Sequence, residues 1–165
     1  MGNWGGTAVA HATVAELREF AAGTGFTGVD GDADLGGGWS ALYYADQPDG
    51  GAAAALARRT WAPVLTVVYL DGDVGFVEGA TVAGGQWKAL LNRDMAEDYE
   101  IPVERFPVEA ALAGALDWAA AAGLTADPDG IRGALTGSEA FAEDLTDRLL
   151  GALGINPAAP GEEGA

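Results

Sequence analysis

The sequence contains no cysteine and only one histidine, His11. Without cysteine the chain can form neither a disulfide nor a thiolate metal site, and one histidine cannot supply the usual ligands of zinc. A nucleophile–histidine pair would depend on His11 alone, and no partnered nucleophile is recognisable beside it. We therefore predict no catalytic residue and no cofactor, and we interpret His11 as a packed or hydrogen-bonded residue of the first strand. These absences favour a non-enzymatic protein over an enzyme.

Positive charge is also scarce. Eight Lys and Arg residues stand against 25 Asp and Glu residues, and the formal net charge is −17. Such a charge repels the phosphates of nucleic acids and of anionic membranes over most of the surface. A basic protein is the complementary partner, so we predict a protein partner and no direct contact with nucleic acid. Acidity that only keeps the protein soluble accounts for the same charge.

Long hydrophobic runs are missing as well. The longest apolar stretch, residues 61–70, contains Pro63 and Thr66. It is far shorter than the ~20 residues that a membrane helix needs. Residues 1–6 lack the basic and apolar regions of a signal peptide. We therefore expect no contact with a membrane and a cytoplasmic location.

The pattern that is present favours an α+β fold. It predicts strands over residues 7–12 and 39–45 and an antiparallel meander over residues 63–91, whose first strand is apolar on both faces and should be central. We expect a single domain over residues 1–156. Its sheet should be antiparallel, with a mixed sheet as the alternative, and should have about four to five strands with helices largely on one face. The tail, residues 157–165, has no core residue and is expected to be disordered.

Two capping boxes predict where helices begin: Thr13 with Glu16, and Thr136 with Glu139. In a capping box the side chain of the first residue accepts the backbone N–H of the second residue, and the side chain of the second residue accepts the backbone N–H of the first. An alanine-rich segment over residues 52–60 predicts a further helix between them.

The segment Asp71-Gly72-Asp73 lies between two apolar runs. An Asp-Gly step in that setting is a strong signal for a β-hairpin, because both residues tolerate positive φ. A metal site would need further oxygen ligands from elsewhere, and the sequence indicates none. We interpret the segment as a turn.

Residues 25–38 are rich in glycine and aspartate, and we interpret them as a long loop. Asp30, Asp32 and Asp34 have the 1, 3 and 5 spacing of a calcium loop. The required glycine at position 6 is Leu35, however, and position 12 is Ala41 instead of glutamate. The three aspartates are therefore weak metal candidates in a loop that is more typical of a solvated acidic segment.

An acidic strip lies between Arg93 and Arg105, and it consists of Asp94, Glu97, Asp98, Glu100 and Glu104. Our leading hypothesis is a non-enzymatic binding protein that uses this strip to mask a basic partner surface, such as an immunity protein against a toxin or a DNA-mimicking inhibitor. The alternative is a small-molecule-binding protein or metal-dependent enzyme with residues 25–38 in its pocket. A solvated helix face gives the same run of carboxylates.

Five tryptophans are many for a chain of this size: Trp4, Trp39, Trp61, Trp87 and Trp118. We expect most of them in the core, because each buries a large area. One or two that remain exposed among carboxylates would resemble a protein-binding hot spot.

Overall fold

The computed structural model describes residues 4–46 and 51–155, which contain one six-stranded sheet. The strands are β1 Gly6–His11, β2 Val29–Gly36, β3 Trp39–Tyr44, β4 Val64–Leu70, β5 Val74–Ala80 and β6 Gln86–Leu91. Their order is β2-β3-β1-β4-β5-β6, and every pair is antiparallel. The prediction of an antiparallel α+β fold is confirmed, whereas four to five strands was too few. The tail at residues 157–165 lies outside the described residues.

Strand β4 is central, as its sequence predicts. It pairs with β1 on one side and with β5 on the other. Val64, Leu65 and Val67 are fully buried although they alternate between the two faces. Such a strand needs cover on both sides, because each exposed apolar side chain forfeits about 1.5–3 kcal/mol of burial free energy.

Helices lie on both faces of the sheet, so the expectation of helices largely on one face was wrong. The described residues contain α1 Val14–Ala22, α2 Ala52–Thr60, α3 Arg93–Ala96, α4 Val108–Ala121, α5 Pro128–Thr136 and α6 Ala142–Leu153, together with two short 3-10 helices, Glu97–Tyr99 and Val103–Arg105. Helices α1 and α2 pack on the face that carries Ala8 and Ala10. Helices α4, α5 and α6 pack on the opposite face, which carries Val9 and Val67. None of the described helices is long and apolar enough to span a membrane.

Residues 29–36 form the edge strand β2, and the predicted loop over residues 25–38 was therefore wrong. The missed signal is a two-residue alternation in which the aspartates Asp30, Asp32 and Asp34 are exposed and the residues between them are less so. This is the period of a half-buried strand. Register shifts at Val29/Gly31 and at Asp34/Gly36 interrupt the pairing with β3 and obscure the pattern.

One of the two predicted capping boxes is present. The Thr13 hydroxyl accepts the Glu16 N–H at 3.1 Å, and the Glu16 carboxylate accepts the Thr13 N–H at 3.0 Å. The second prediction was wrong, because α6 begins at Ala142 and Thr136 is the last residue of α5. The buried apolar residues of α5 extend this helix as far as Thr136. The Thr136 hydroxyl donates to the Arg132 carbonyl at 2.8 Å. A residue with helical backbone cannot serve as an N-cap.

The turn between β4 and β5 has the predicted form. Asp71 and Gly72 have φ values of 53° and 72°, and the Asp73 N–H donates to the Leu70 carbonyl at 3.0 Å. These angles belong to a type I′ turn, which matches the twist of the flanking strands.

We expect Gly72→Val to lower the free energy of unfolding by about 1–3 kcal/mol, because a β-branched residue resists positive φ. Asp71→Asn should change it by less than about 0.5 kcal/mol, since Asn-Gly forms the same turn. Urea unfolding followed by tryptophan fluorescence measures both values. Equal effects of the two substitutions would contradict the role of the turn.

Candidate functional site

The carboxylates gather at one end of the sheet. Because the pairing is antiparallel, the beginning of β5 and the ends of β4 and β6 lie at this end. Three segments of chain meet there: the turn 71–73, the segment 92–100 and the segment 138–144. Their carboxylates define what we call the acidic end: Asp71, Asp73, Asp94, Glu97, Asp98, Glu100, Glu139, Glu143 and Asp144.

The buried side chain of Asn92 joins these three segments. Its Nδ2 donates to the Asp73 carbonyl at 2.7 Å and to the Glu139 carbonyl at 2.9 Å, and its Oδ1 accepts the Glu139 N–H at 3.2 Å. Asn92 is 1% exposed and has φ 66° and ψ 53°, a left-handed conformation that asparagine tolerates better than most residues. One amide therefore fixes segments that are far apart in sequence.

Further hydrogen bonds attach the carboxylates to this framework. The Tyr99 hydroxyl donates to Asp73 Oδ2 at 2.6 Å, and the Ser138 hydroxyl donates to Asp94 Oδ2 at 2.6 Å. The Ala142 N–H donates to the Gly72 carbonyl at 2.7 Å, which places the beginning of α6 against the turn. The turn and the acidic strip are separate features in the sequence, and these contacts bring them together.

Every member of the predicted strip is exposed. Asp94 lies on α3, Glu97 and Asp98 lie on the first 3-10 helix, and Glu104 lies on the second. Glu100 has φ 60° at the end of the first 3-10 helix. Beneath them is a small apolar cluster whose buried members are Val74, Leu90 and Ala96. The strip is thus held on the sheet by its own core, with its carboxylates in solvent.

Three arginines lie on or near these segments: Arg93, Arg105 and Arg148. The half-buried Arg93 donates to the carbonyls of Phe106 at 2.6 Å and Val103 at 3.1 Å. Arg148 of α6 forms an ion pair with Glu139 at 2.7 Å. Arg105 is exposed at the far end of the strip. Arg148 therefore offsets the charge of Glu139, whereas Arg93, which is bound to neutral carbonyls, keeps its positive charge. Nine carboxylates of the acidic end stand against these three guanidinium groups.

An exposed aromatic side chain, Phe141, lies between these charges. It is 56% exposed and precedes the first residue of α6. Leu145 and Leu149, which follow it on α6 at four-residue intervals, are buried, whereas Phe141 itself remains largely in solvent. Phe141 stands between Glu139 and Glu143 in the sequence, and an exposed aromatic side chain among carboxylates resembles a protein-binding hot spot.

The negative field extends along α6. Burial, and then the neighbouring charges of Asp144 and Glu143, raise the pKa of Asp147. Burial likewise raises the pKa of Tyr69 to about 12, with Glu143 and Asp147 acting in the same direction. The Tyr69 and Thr146 hydroxyls are hydrogen-bonded at 2.7 Å, so α6 is attached to the sheet by a polar contact within the core.

The structure does not assemble the weak metal candidates into a site. Asp32 forms an ion pair with Arg18 at 2.7 Å, and Asp34 accepts the Gly36 N–H at 2.9 Å. Alternate residues of a strand are roughly 6.5–7 Å apart, too far for their carboxylates to share one ion without other ligands. Among the described residues, no group of three or more His, Cys, Asp or Glu side chains is placed to hold a metal ion.

His11 has a structural environment. Its Nε2 lies 3.1 Å from the Gly37 carbonyl, and its ring centroid lies 5.1 Å from that of Trp39. Both neighbours belong to the β2–β3 hairpin, so the ring attaches the end of β1 to this hairpin.

Two cavities flank Trp87 at the opposite end of the sheet. One, of about 260 Å³, has Glu78 and Lys88 in its lining, and the other, of about 220 Å³, has Asp117 and Gln86. Neither contains a residue of the segment 25–38, which the alternative hypothesis placed in a pocket.

Comparison of the chain with protein-family models, with curated proteins and with solved structures gave no match. The acidic end is therefore interpreted from its own chemistry.

We expect Asn92→Ala to lower the free energy of unfolding by about 2–4 kcal/mol, because it leaves buried backbone groups of Asp73 and Glu139 unpaired. Asn92→Gly is the matched control, since glycine accepts the positive φ without strain but also lacks the amide. Asn92→Gly should show most of the decrease in the free energy of unfolding that Asn92→Ala shows. A near-neutral Asn92→Gly would mean that Asn92 serves only the backbone conformation.

We also expect the Tyr99 phenol to lose its proton at a higher pH than an ordinary tyrosine does. Its hydrogen bond to Asp73, followed by burial and the charges of Asp73, Asp71 and Asp98, raises the pKa of Tyr99 from 10.0 to about 12. A raised pKa favours the protonated phenol in the folded state, so this stabilisation is complete below pH 10 and is lost as the pH rises through about 12.

Asp73→Asn should bring the pKa of Tyr99 back toward its ordinary value and leave that of Tyr69 unchanged, since burial is the main cause there. A pH titration of the ¹³C-tyrosine-labelled wild type and of Asp73→Asn, followed by NMR, resolves each ring. An unchanged Tyr99 pKa in Asp73→Asn would contradict this contact between the turn and the strip.

Proposed function

We propose that the protein is a non-enzymatic binding protein whose acidic end masks a basic surface of another protein. The observation that carries the proposal is the convergence of three chain segments, held by Asn92, which brings their carboxylates and the exposed Phe141 to one end of the sheet. The net charge of −17 supports it, because attraction over long range guides a cationic partner toward the molecule.

In this proposal the acidic strip and Phe141 have different roles. The exposed carboxylates of the acidic strip act before contact, since charges at the rim of an interface mainly raise the association rate. Phe141 acts after contact, because burial of an aromatic side chain at the centre of an interface slows dissociation. The arrangement is suited to fast and tight binding of one basic surface.

An immunity protein against a basic toxin and a DNA-mimicking inhibitor are the two forms of this function that the chemistry favours. In both, carboxylates occupy cationic side chains of the partner, which would otherwise contact phosphates or another target. The alternative, a pocket that includes residues 25–38, has one observation in its favour, because Asp30 of β2 lines a groove of about 370 Å³.

The test is association kinetics with the partner purified by affinity capture from extract of the native cell. We expect the triple variant Glu97→Gln, Asp98→Asn, Glu100→Gln to associate about tenfold more slowly at low salt and to show a flatter salt dependence. Its folding stability should be equal to or slightly above that of the wild type, because like charges are removed. Stopped-flow mixing at two ionic strengths gives the rates.

A matched control is the triple variant Glu19→Gln, Asp117→Asn, Asp129→Asn, which makes the same change in net charge on α1, α4 and α5. It should slow association much less. Phe141→Ala should leave the association rate unchanged and raise the dissociation rate roughly tenfold. Equal slowing by both triple variants would show that net charge, and not the acidic end, guides the partner.

A further inference from the structure

A groove of about 370 Å³ lies at the same end of the sheet as the acidic end. It is formed where β1 and β2 begin and β3 ends, and it is lined by Trp4, Gly5, Gly6, Asp30, Tyr43, Tyr44 and Ala45. Its chemistry differs from that of the acidic end, because aromatic rings and a carboxylate share one concave surface.

Two aromatic side chains of this groove are open to solvent. Trp4 is 52% exposed and Tyr43 is 40% exposed, whereas Trp39, Trp87 and Trp118 are buried. Trp61 is exposed as well, but it follows Arg58 and Arg59 at the end of α2. Trp4 is thus an exposed tryptophan that shares a groove with the carboxylate of Asp30. An exposed tryptophan near a carboxylate resembles a protein-binding hot spot.

Glycines shape the groove. A Cβ atom on Gly5 would lie 1.8 Å from the Tyr44 carbonyl oxygen, and one on Gly31 would lie 3.3 Å from Tyr43 Cδ2. The backbone therefore forms part of the groove surface, and the Tyr43 ring lies over the neighbouring strand β2. A side chain at Gly5 would displace the backbone beneath the groove.

Three carboxylates lie in the groove or act on the Tyr43 ring: Asp30, Asp32 and Asp147. Asp30 lines the groove itself and is exposed. Burial raises the pKa of Tyr43, and the charges of Asp147 on α6 and Asp32 on β2 raise it further. Arg18 already pairs with Asp32 at 2.7 Å. The partly exposed aromatic surface thus lies in a negative field to which Asp147 and Asp32 contribute, and Asp30 lines the same groove.

We infer that this groove binds an arginine side chain of the basic partner, with the guanidinium group against the rings of Trp4 and Tyr43 and its charge toward Asp30. The identity of the ligand rests on the proposed function, because a basic protein is the source of the arginine. A guanidinium group is planar and weakly hydrated, so it stacks on aromatic rings better than an ammonium group does. The groove then lies beside the acidic end and extends the same interface.

The direct test is an NMR titration with Nα-acetylarginine methylamide, observed at the indole N–H signals of a ¹⁵N-labelled protein. The Trp4 signal should shift with added ligand, while the Trp61 signal should not. The neutral isostere Nα-acetylcitrulline methylamide should shift Trp4 much less, because it lacks the charge. Asp30→Asn and Tyr43→Leu should each weaken the arginine effect by roughly two- to fivefold while the rest of the spectrum remains that of the folded protein.

A second measurement separates this inference from the proposed function. Octaarginine and octalysine carry equal charge, so the acidic-strip triple variant should weaken both, whereas Tyr43→Leu should reduce only the preference for octaarginine. Loss of the preference with retained binding supports the groove. The arginine groove is contradicted if Tyr43→Leu leaves the preference for octaarginine unchanged, or if Trp4 does not shift with the arginine derivative. It is also contradicted if the citrulline derivative shifts Trp4 as much as the arginine derivative does. None of these outcomes bears on the acidic end. Binding of both peptides that is insensitive to the strip variant would overturn the proposed function while leaving an arginine groove.

Discussion

The buried amide of Asn92 is the contact on which the functional surface depends. The turn 71–73 belongs to the β4–β5 hairpin and the segment 138–144 contains the beginning of α6, so the two are far apart in sequence, and the Ala142 N–H is bonded directly to the Gly72 carbonyl. Asn92 supplies two donors and one acceptor to their backbones from a position that is almost fully buried. In that environment an unpaired partner costs about 1–3 kcal/mol, and the arrangement is therefore either complete or strongly disfavoured.

The acidic end also has to withstand its own repulsion. Its segments offset part of it with neutral donors: the hydroxyls of Tyr99 and Ser138 bind Asp73 and Asp94 without adding positive charge. Had lysines done so, the same carboxylates would be neutralised and lost to a partner. Neutral donors keep the surface negative, and the repulsion that remains is relieved when a cationic surface approaches.

The features that the sequence predicted are local ones. The Asp71-Gly72 turn, the Thr13–Glu16 capping box and the meander each depend on residues within one element or on adjacent strands. The errors arose where distant contacts decide: two register shifts against β3 obscure β2, and the buried face of α5 overrides the capping signal at Thr136. The acidic strip was visible as a charge run. Its association with the turn and with α6 was not, because Asn92 and Glu139 are 47 residues apart.

Under the proposed function, the position of these features along the strands would set the direction from which a basic partner approaches. The opposite end of the sheet carries Lys88 on β6, and α2 ends there with Arg58 and Arg59, so exposed positive charge is mixed with its carboxylates. At the acidic end, Arg93 donates to backbone carbonyls and Arg148 is paired with Glu139. A molecule with this asymmetry turns one end toward a cationic surface before contact, because the field acts over roughly a Debye length, about 8 Å at physiological ionic strength. Phe141 and the Trp4–Tyr43 groove act only at contact distance, and both lie at the end that the field presents.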